Sequence, residues 1–346
     1  MRKRWIIAAI VLVAALGAAY TGYWFWLAQT FERNLALWID QQRAIGYRMS
    51  YSAGPPTGFP LPVGIALDEV TVESPAGPAP WRFQADALRL SLAPWRPFCL
   101  RIEDRAGTSL PRLQWSANGR RFDLSGDGIE SAIGLPGPGE LPTIALAARY
   151  LELREGTRSI AGTHGLAGDI VLRNPGAPTD SSIAFSFAAQ QIDLPARLSS
   201  QGEMTEIHAP LLQGKLVGAV PAGRLPDALA AWSAQGGYLD VTRIAAEPAD
   251  GFPPRFEGAA AVALDAQLQP VVAGSVTVRD YGPAVDRAVA DGLMTPAQGT
   301  AAKLWLSAKA EKDAEGLKVT LSLTIQDGLL SMGPIQLARL PRIAWD

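Results

Sequence analysis

From Trp5 to Leu27 the chain reads "WIIAAIVLVAALGAAYTGYWFWL" without one charged residue, and no other feature constrains it so tightly. At ~1.5 Å per residue a helix over this run is ~34 Å long, enough for the hydrocarbon core of a bilayer. Arg2, Lys3 and Arg4 precede it. The positive-inside rule therefore leaves the N-terminus in the cytoplasm and sends the remaining chain across. Trp5 at one end and Tyr23, Trp24 and Trp26 at the other supply aromatic belts at the two headgroup levels. The first partner implied is the lipid bilayer. No comparable stretch follows, so the expectation is a single-pass anchor over 1–27 with one large exported region.

A cleaved signal peptide is the competing reading, because Gly17 and Ala19 suit the −3 and −1 positions of a cleavage site. Against it, the apolar run continues through Tyr20, Tyr23, Trp24, Phe25 and Trp26, where a signal peptide turns polar. Beyond the run, Leu27, Phe31, Leu35, Trp38 and Ile39 recur at helical spacing until Gly46. This predicts a stalk helix over 28–46 whose stripe docks on the core of the domain that follows.

From Tyr47 onward the dominant signal is period-two alternation over short runs punctuated by Gly, Pro and Asp-Gly. "LRLSL", "SIAFSF" and "GSVTVRD" each put apolar side chains on one face. The segment "VGIALDEVTVES" changes phase midway, which a bulge near Asp68 would repair. In "LKVTLSLTIQDGLLSMG", Asp327 and Gly328 predict a two-residue type I′ turn. The register then sets Ile325 opposite Leu330 and Leu323 opposite Met332, with Thr324 facing Ser331 on the other side. A second hairpin turns within Asp265 to Pro270. Helices belong to the last third. One spaces Leu225, Leu229 and Trp232, and a pair begins at Pro283 and at the capping box of Thr295 and Gln298, with Ala301, Leu304, Trp305 and Ala308 as the buried stripe.

The fold class expected is α+β: a mainly antiparallel, curved β-sheet with a few packed helices, preceded by one N-terminal transmembrane helix. The exported domain covers 47–346, with a possible subdivision near 220, and Gly126 to Pro142 reads as a loop. "GFP" occurs at Gly58 and at Gly251, weak support for a duplication.

Chemistry is sparse. The two histidines, His164 in the apparent turn "GTHGLAG" and His208 in "EIHAP", have neither metal-ligand spacing nor a G-x-S-x-G partner. "GLPGPG" places proline where a phosphate loop needs N–H groups. Cys99 is the only cysteine, which rules out an internal disulfide, and it reads as a small buried apolar residue. A formal charge of −2 with no basic cluster beyond "MRKR" gives no nucleic-acid signal. No catalytic residue, metal ligand set or cofactor motif is expected. The Trp residues at 81, 95, 115, 232 and 305 read as core. The sharper alternative is an apolar groove for acyl chains on the concave face, with Leu321, Leu323, Ile325, Leu330 and Met332 as its lining.

The anchor together with "GFPLPVGIALDEV", "LSLAPWRP", "LAAWSAQGGYLDV", "GAAAVALDAQLQP" and "LTIQDGLLSMGPIQLARLP" resembles the bacterial membrane-anchored family catalogued as domain of unknown function 2125. The resemblance covers nearly the whole chain after the anchor and carries no catalytic residues. It implies an envelope protein held in the bacterial inner membrane with its C-terminal domain in the periplasm. A more distant likeness is to AsmA-like envelope proteins, associated with lipid traffic. The function expected is a non-enzymatic envelope protein that binds lipid or an envelope partner on its sheet. The alternatives are a scaffolding protein with a filled core and, third, an envelope hydrolase using His164 or His208.

Overall fold

The computed structural model describes residues 2–75, 80–105, 110–117, 119–135, 141–177, 179–195, 204–221, 225–248, 255–290, 294–314, 316–333, 335–343 and 345. Among them the elements in chain order are α1 (Arg2–Ala44), β1 (Arg48–Ala53), β2 (Val63–Glu73), β3 (Trp81–Ala93), β4 (Arg96–Asp104), β5 (Arg112–Ala117) and β6 (Arg120–Asp127). Next come β7 (Glu130–Gly134), β8 (Thr143–Glu155), β9 (Arg158–Leu172), β10 (Ser181–Ala188), β11 (Gln191–Pro195), β12 (Met204–Val217) and α2 (Leu225–Ala234). The last third holds β13 (Tyr238–Pro248), β14 (Phe256–Leu264), β15 (Pro270–Arg279), α3 (Tyr281–Ala290), α4 (Pro296–Lys309), β16 (Glu311–Asp313), β17 (Gly316–Gln326), β18 (Leu329–Met332) and β19 (Ile335–Arg339).

The anchor run and the stalk are one continuous helix. α1 ends where Gly46 takes φ +103, its N–H donating to the carbonyl of Arg43 and that of Tyr47 to Gln42. The stalk half packs on the sheet as its spacing predicts: Leu27, Ala28, Phe31 and Ile39 are buried, while Trp38 is left outside. Its Leu27–Phe31 stripe joins Val63, Ile65, Leu67, Leu90 and Leu92 in the main hydrophobic cluster.

The strands form one antiparallel sheet in which sequence neighbours are mostly sheet neighbours. Strands on either side of residue 220 belong to it together, β12 pairing β13 from Val217↔Tyr238 onward. A crease crosses the sheet. Along it Glu69, Gly165 and Ala209 have positive φ, and Asp104, Gln190 and Ala209 donate from the irregular positions to Ile129, His164 and Gln190. Single columns are split there into two short strands: β4 and β5 beside β3, β6 and β7 beside β8, β10 and β11 between β9 and β12. The phase changes with it. Val63, Ile65 and Leu67 precede the irregularity and Val70 and Val72 follow it, yet all lie against the same core. This is the bulge expected near Asp68, centred one residue later at Glu69.

The Asp327-Gly328 turn has both residues at positive φ, and Leu323↔Met332, Thr324↔Ser331 and Ile325↔Leu330 pair as the turn type requires. The second hairpin is closed by the Asp265 carboxylate, which accepts from the backbones of Gln267 and Gln269. α4 carries the full Thr295–Gln298 capping box.

Four expectations need correction. Residues 130–134, read as loop, form β7, because β4 and β8 pair with it from both sides and long-range pairing outweighs its terminal Gly134. His164 lies inside β9 instead of a turn; the Phe187 ring occupies the space over Gly168 and the Gln190 side chain that over Gly165. The buried side of α4 is turned round the helix. Val285 and Val289 of α3 pack at Gly299, which leaves Leu304 exposed together with Ala301 and Ala308. On α2, Ala228 and Trp232 are buried and Leu225 is exposed, since the indole donates to the carbonyl of Val217 and fixes the helix roll. The Gly251 copy of "GFP" lies outside the described residues.

Candidate functional site

Antiparallel partners share a face, so the register can be read across the sheet one rung at a time. Starting beneath α1, Val63 pairs Leu92, Leu92 pairs Leu100, and Leu100 pairs Ile133. The rung continues through Ile144, Ile170, Phe185 and Gly214. It ends through Val241, Ala260, Gly274, Leu323 and Met332. Every residue on this rung is apolar or glycine. A parallel rung from Ile65 and Leu90 runs to Phe187, Leu212, Ile244 and finally Val276 and Leu321, with Ser131 as its polar member. One residue out of phase, the opposite face reads Ser91, Arg101, Asp169, Ser186, Gln213 and Arg243.

The apolar face is covered at its two ends and open between them. At one end α1 buries Val63 and Leu92. At the far end β17, against which α4 packs, has Val319 at 0% and Leu321 at 7% exposure. In the middle Ile133, Ile144, Ile170, Phe185 and Val241 are half-buried, and Leu212 and Ile244 are exposed. Glycine shapes the surface. Phe187 lies across Gly168 and Phe185 across Gly214, where a Cβ would fall 2.2 and 2.7 Å from the rings, so the aromatics lie along the sheet. The five residues expected to line a groove are on this face, Leu321 buried and Leu323, Ile325, Leu330 and Met332 half-buried.

The anchor residues divide between two environments. Trp24, read as belt, is 3% exposed and its indole donates to the carbonyl of Leu61, so it belongs to the domain's core. Tyr20 and Tyr23 donate to the carbonyls of Pro60 and Pro94. Trp5, Phe25 and Trp26 face outward. Side chains of Arg2, Lys3 and Arg4 lie outside the described residues, although α1 includes all three. Sequence reading missed the exposed Phe59, Leu61, Trp95 and Phe98. Trp95 in particular departs from the expected core role, and Cys99 is half-buried at the rim of a cavity instead of buried.

The titratable groups form structural pairs. His164 Nε2 lies 3.0 Å from Asp193, beside the Tyr150 ring, and His208 lies 3.5 Å from Glu206. Both histidines thus have carboxylate partners. Burial, then the charges of Glu152 and Asp193, raise the Tyr150 phenol. Glu73 is lowered by hydrogen bonds from Arg48 and Arg82. Asp104 is raised by burial and then by the charges of Asp127 and Asp86. Among the described residues no three His, Cys, Asp or Glu side chains gather closely enough to hold a metal ion.

The family model described as "Uncharacterized protein conserved in bacteria (DUF2125)" matches residues 24–341. The chain belongs to this family. The DUF2125 match begins at Trp24, where α1 becomes part of the domain's core. No curated protein and no solved structure matches the chain. This DUF2125 protein carries one N-terminal helix long and apolar enough to cross a membrane.

Proposed function

We propose that α1 anchors this DUF2125 protein in the bacterial inner membrane, with the domain in the periplasm, and that the open apolar face holds lipid acyl chains without enzymatic turnover. The observation that supports this most is the unbroken apolar rung from Val63 to Met332, which starts beneath α1, is only half-buried in its middle and runs beside the exposed Leu212 and Ile244. With neighbouring strands ~4.8 Å apart, the face is about 58 Å long. Acyl chains are the fitting occupant because the Val63–Met332 rung carries no polar side chain to orient a headgroup and starts beneath α1. The N-terminal basic residues favour the periplasmic orientation of the domain.

The test is phospholipid counting on full-length protein purified in mild detergent, against the variant Leu212→Asn/Ile244→Asn. Fewer bound lipids per chain in the variant, with anchoring intact, support the reading; equal counts oppose it. A scaffolding role with a filled core draws on Val319 and Leu321 at the far end of the face. It predicts no lipid beyond the anchor's own annulus.

A further inference from the structure

The helix sets a depth for everything attached to it. Counting from Trp5 at ~1.5 Å per residue, Tyr20 stands ~22 Å and Trp24 ~28 Å along α1, inside or at the edge of a ~30 Å hydrocarbon core. Tyr20, Trp24 and Tyr23 are bonded to Pro60, Leu61 and Pro94. The loop before β2 and the β3–β4 turn are thereby held between the outer hydrocarbon and the headgroup level of the leaflet on the domain side. Their side chains match that depth: Phe59 and Leu61 are exposed, as are Trp95 at 63% and Phe98 at 71%.

Behind the turn, on the polar face of the sheet, lies a cavity of about 480 Å³ lined by Arg89, Arg96, Arg101, Glu103, Ser91 and Trp95 among others. Arg89 sits directly across from Glu103, and Arg101 across from Ser91. The three arginines make no ion pair among the described residues. Three guanidinium groups against one carboxylate give the cavity a cationic lining, with Glu130 across from Glu103 and Asp169 farther along the rung of Arg101 just beyond it.

We propose that this cavity is a headgroup site for an anionic phospholipid of the anchoring membrane. Arg89, Arg96 and Arg101 take the phosphate by charge-assisted hydrogen bonds, and Trp95, which lines the same cavity, lies against the glycerol and upper acyl region. The site rests on the proposal that α1 is a membrane anchor, but not on acyl binding by the apolar face.

The experiment is native mass spectrometry of the full-length protein offered dioleoyl phosphatidylglycerol or dioleoyl phosphatidylcholine. The expected result is retention of one phosphatidylglycerol with about tenfold preference, reduced to parity in Arg89→Ala/Arg96→Ala/Arg101→Ala and weakened in Arg96→Glu, a change at the exposed first residue of β4. Millimolar inorganic phosphate leaves the lipid bound; its displacement would make free phosphate the ligand and overturn the assignment. Equal retention of the two lipids, or a preference that survives both variants, also overturns it. Carbonate extraction of the same preparations separates the two failures, since release from membranes would remove the anchor itself.

Discussion

Trp24 shows at a single residue how α1 and the sheet are joined. Its indole is buried among Leu27, Val63 and Ile65 and donates to Leu61, so Trp24→Ala is expected to cost about 3–5 kcal/mol, measured by urea unfolding of the detergent-solubilised protein. The exposed neighbour Trp26 serves as the control and is expected to change unfolding little. The sequence stretch "YWFWL" shows five apolar residues, and composition alone does not tell lipid from protein as their surroundings. Only the helical phase relative to Leu27 and Phe31 separates Trp24 from Trp26. Asp104 gives a second residue-level prediction. Its carboxyl is raised, so the folded state holds the proton more tightly than the unfolded state, and ionisation costs stability as pH rises through that window. Asp104→Asn is expected to raise the melting temperature at about pH 7 and to make no difference at about pH 3, where both forms are neutral. Glu73 runs the other way: its lowered value means that the stability it contributes is lost as pH falls through the folded pKa.

At the scale of elements, the sheet depends on glycines beneath aromatic rings. Gly168→Val would drive a side chain into Phe187 and is expected to cost about 1–3 kcal/mol by thermal unfolding. It also roughens the apolar face without changing its polarity. The hairpin at Asp327-Gly328 was legible to the register because its information is local: two residues at positive φ fix the pairing of four on each side. β7 was not, since a five-residue strand flanked by glycines is specified by β4 and β8 and by nothing in its own composition. The roll of α4 was missed for a similar reason. Leu304 and Trp305 satisfy a helical stripe, but the contact is set by Gly299 accepting the valines of α3. The crease is intermediate, visible at Asp68 as a change of phase and invisible at Gly165, which looked like a turn.

For the whole molecule, the accessible surface of 21234 Å² well exceeds the ~13,500 Å² of a compact monomer of 36.7 kDa. A single sheet layer and a bare helix account for the excess. Alternation in the sequence announced one-sided strands, and Leu323, Ile325, Leu330 and Met332 share one face as the hairpin register implied. What no local pattern could show is that those faces join into a continuous apolar rung, because that depends on the register of strands far apart in sequence. The central claim is that the apolar face, to which this rung and the parallel rung through Leu212 both belong, holds lipid. It is tested most directly by placing a photoreactive benzoylphenylalanine at Leu212 or at Gln213, adjacent positions on opposite faces of β12, in the full-length membrane-embedded protein. Irradiation is expected to give a phospholipid-mass adduct at 212 and none at 213. Equal labelling at both positions, or none at either, would contradict it.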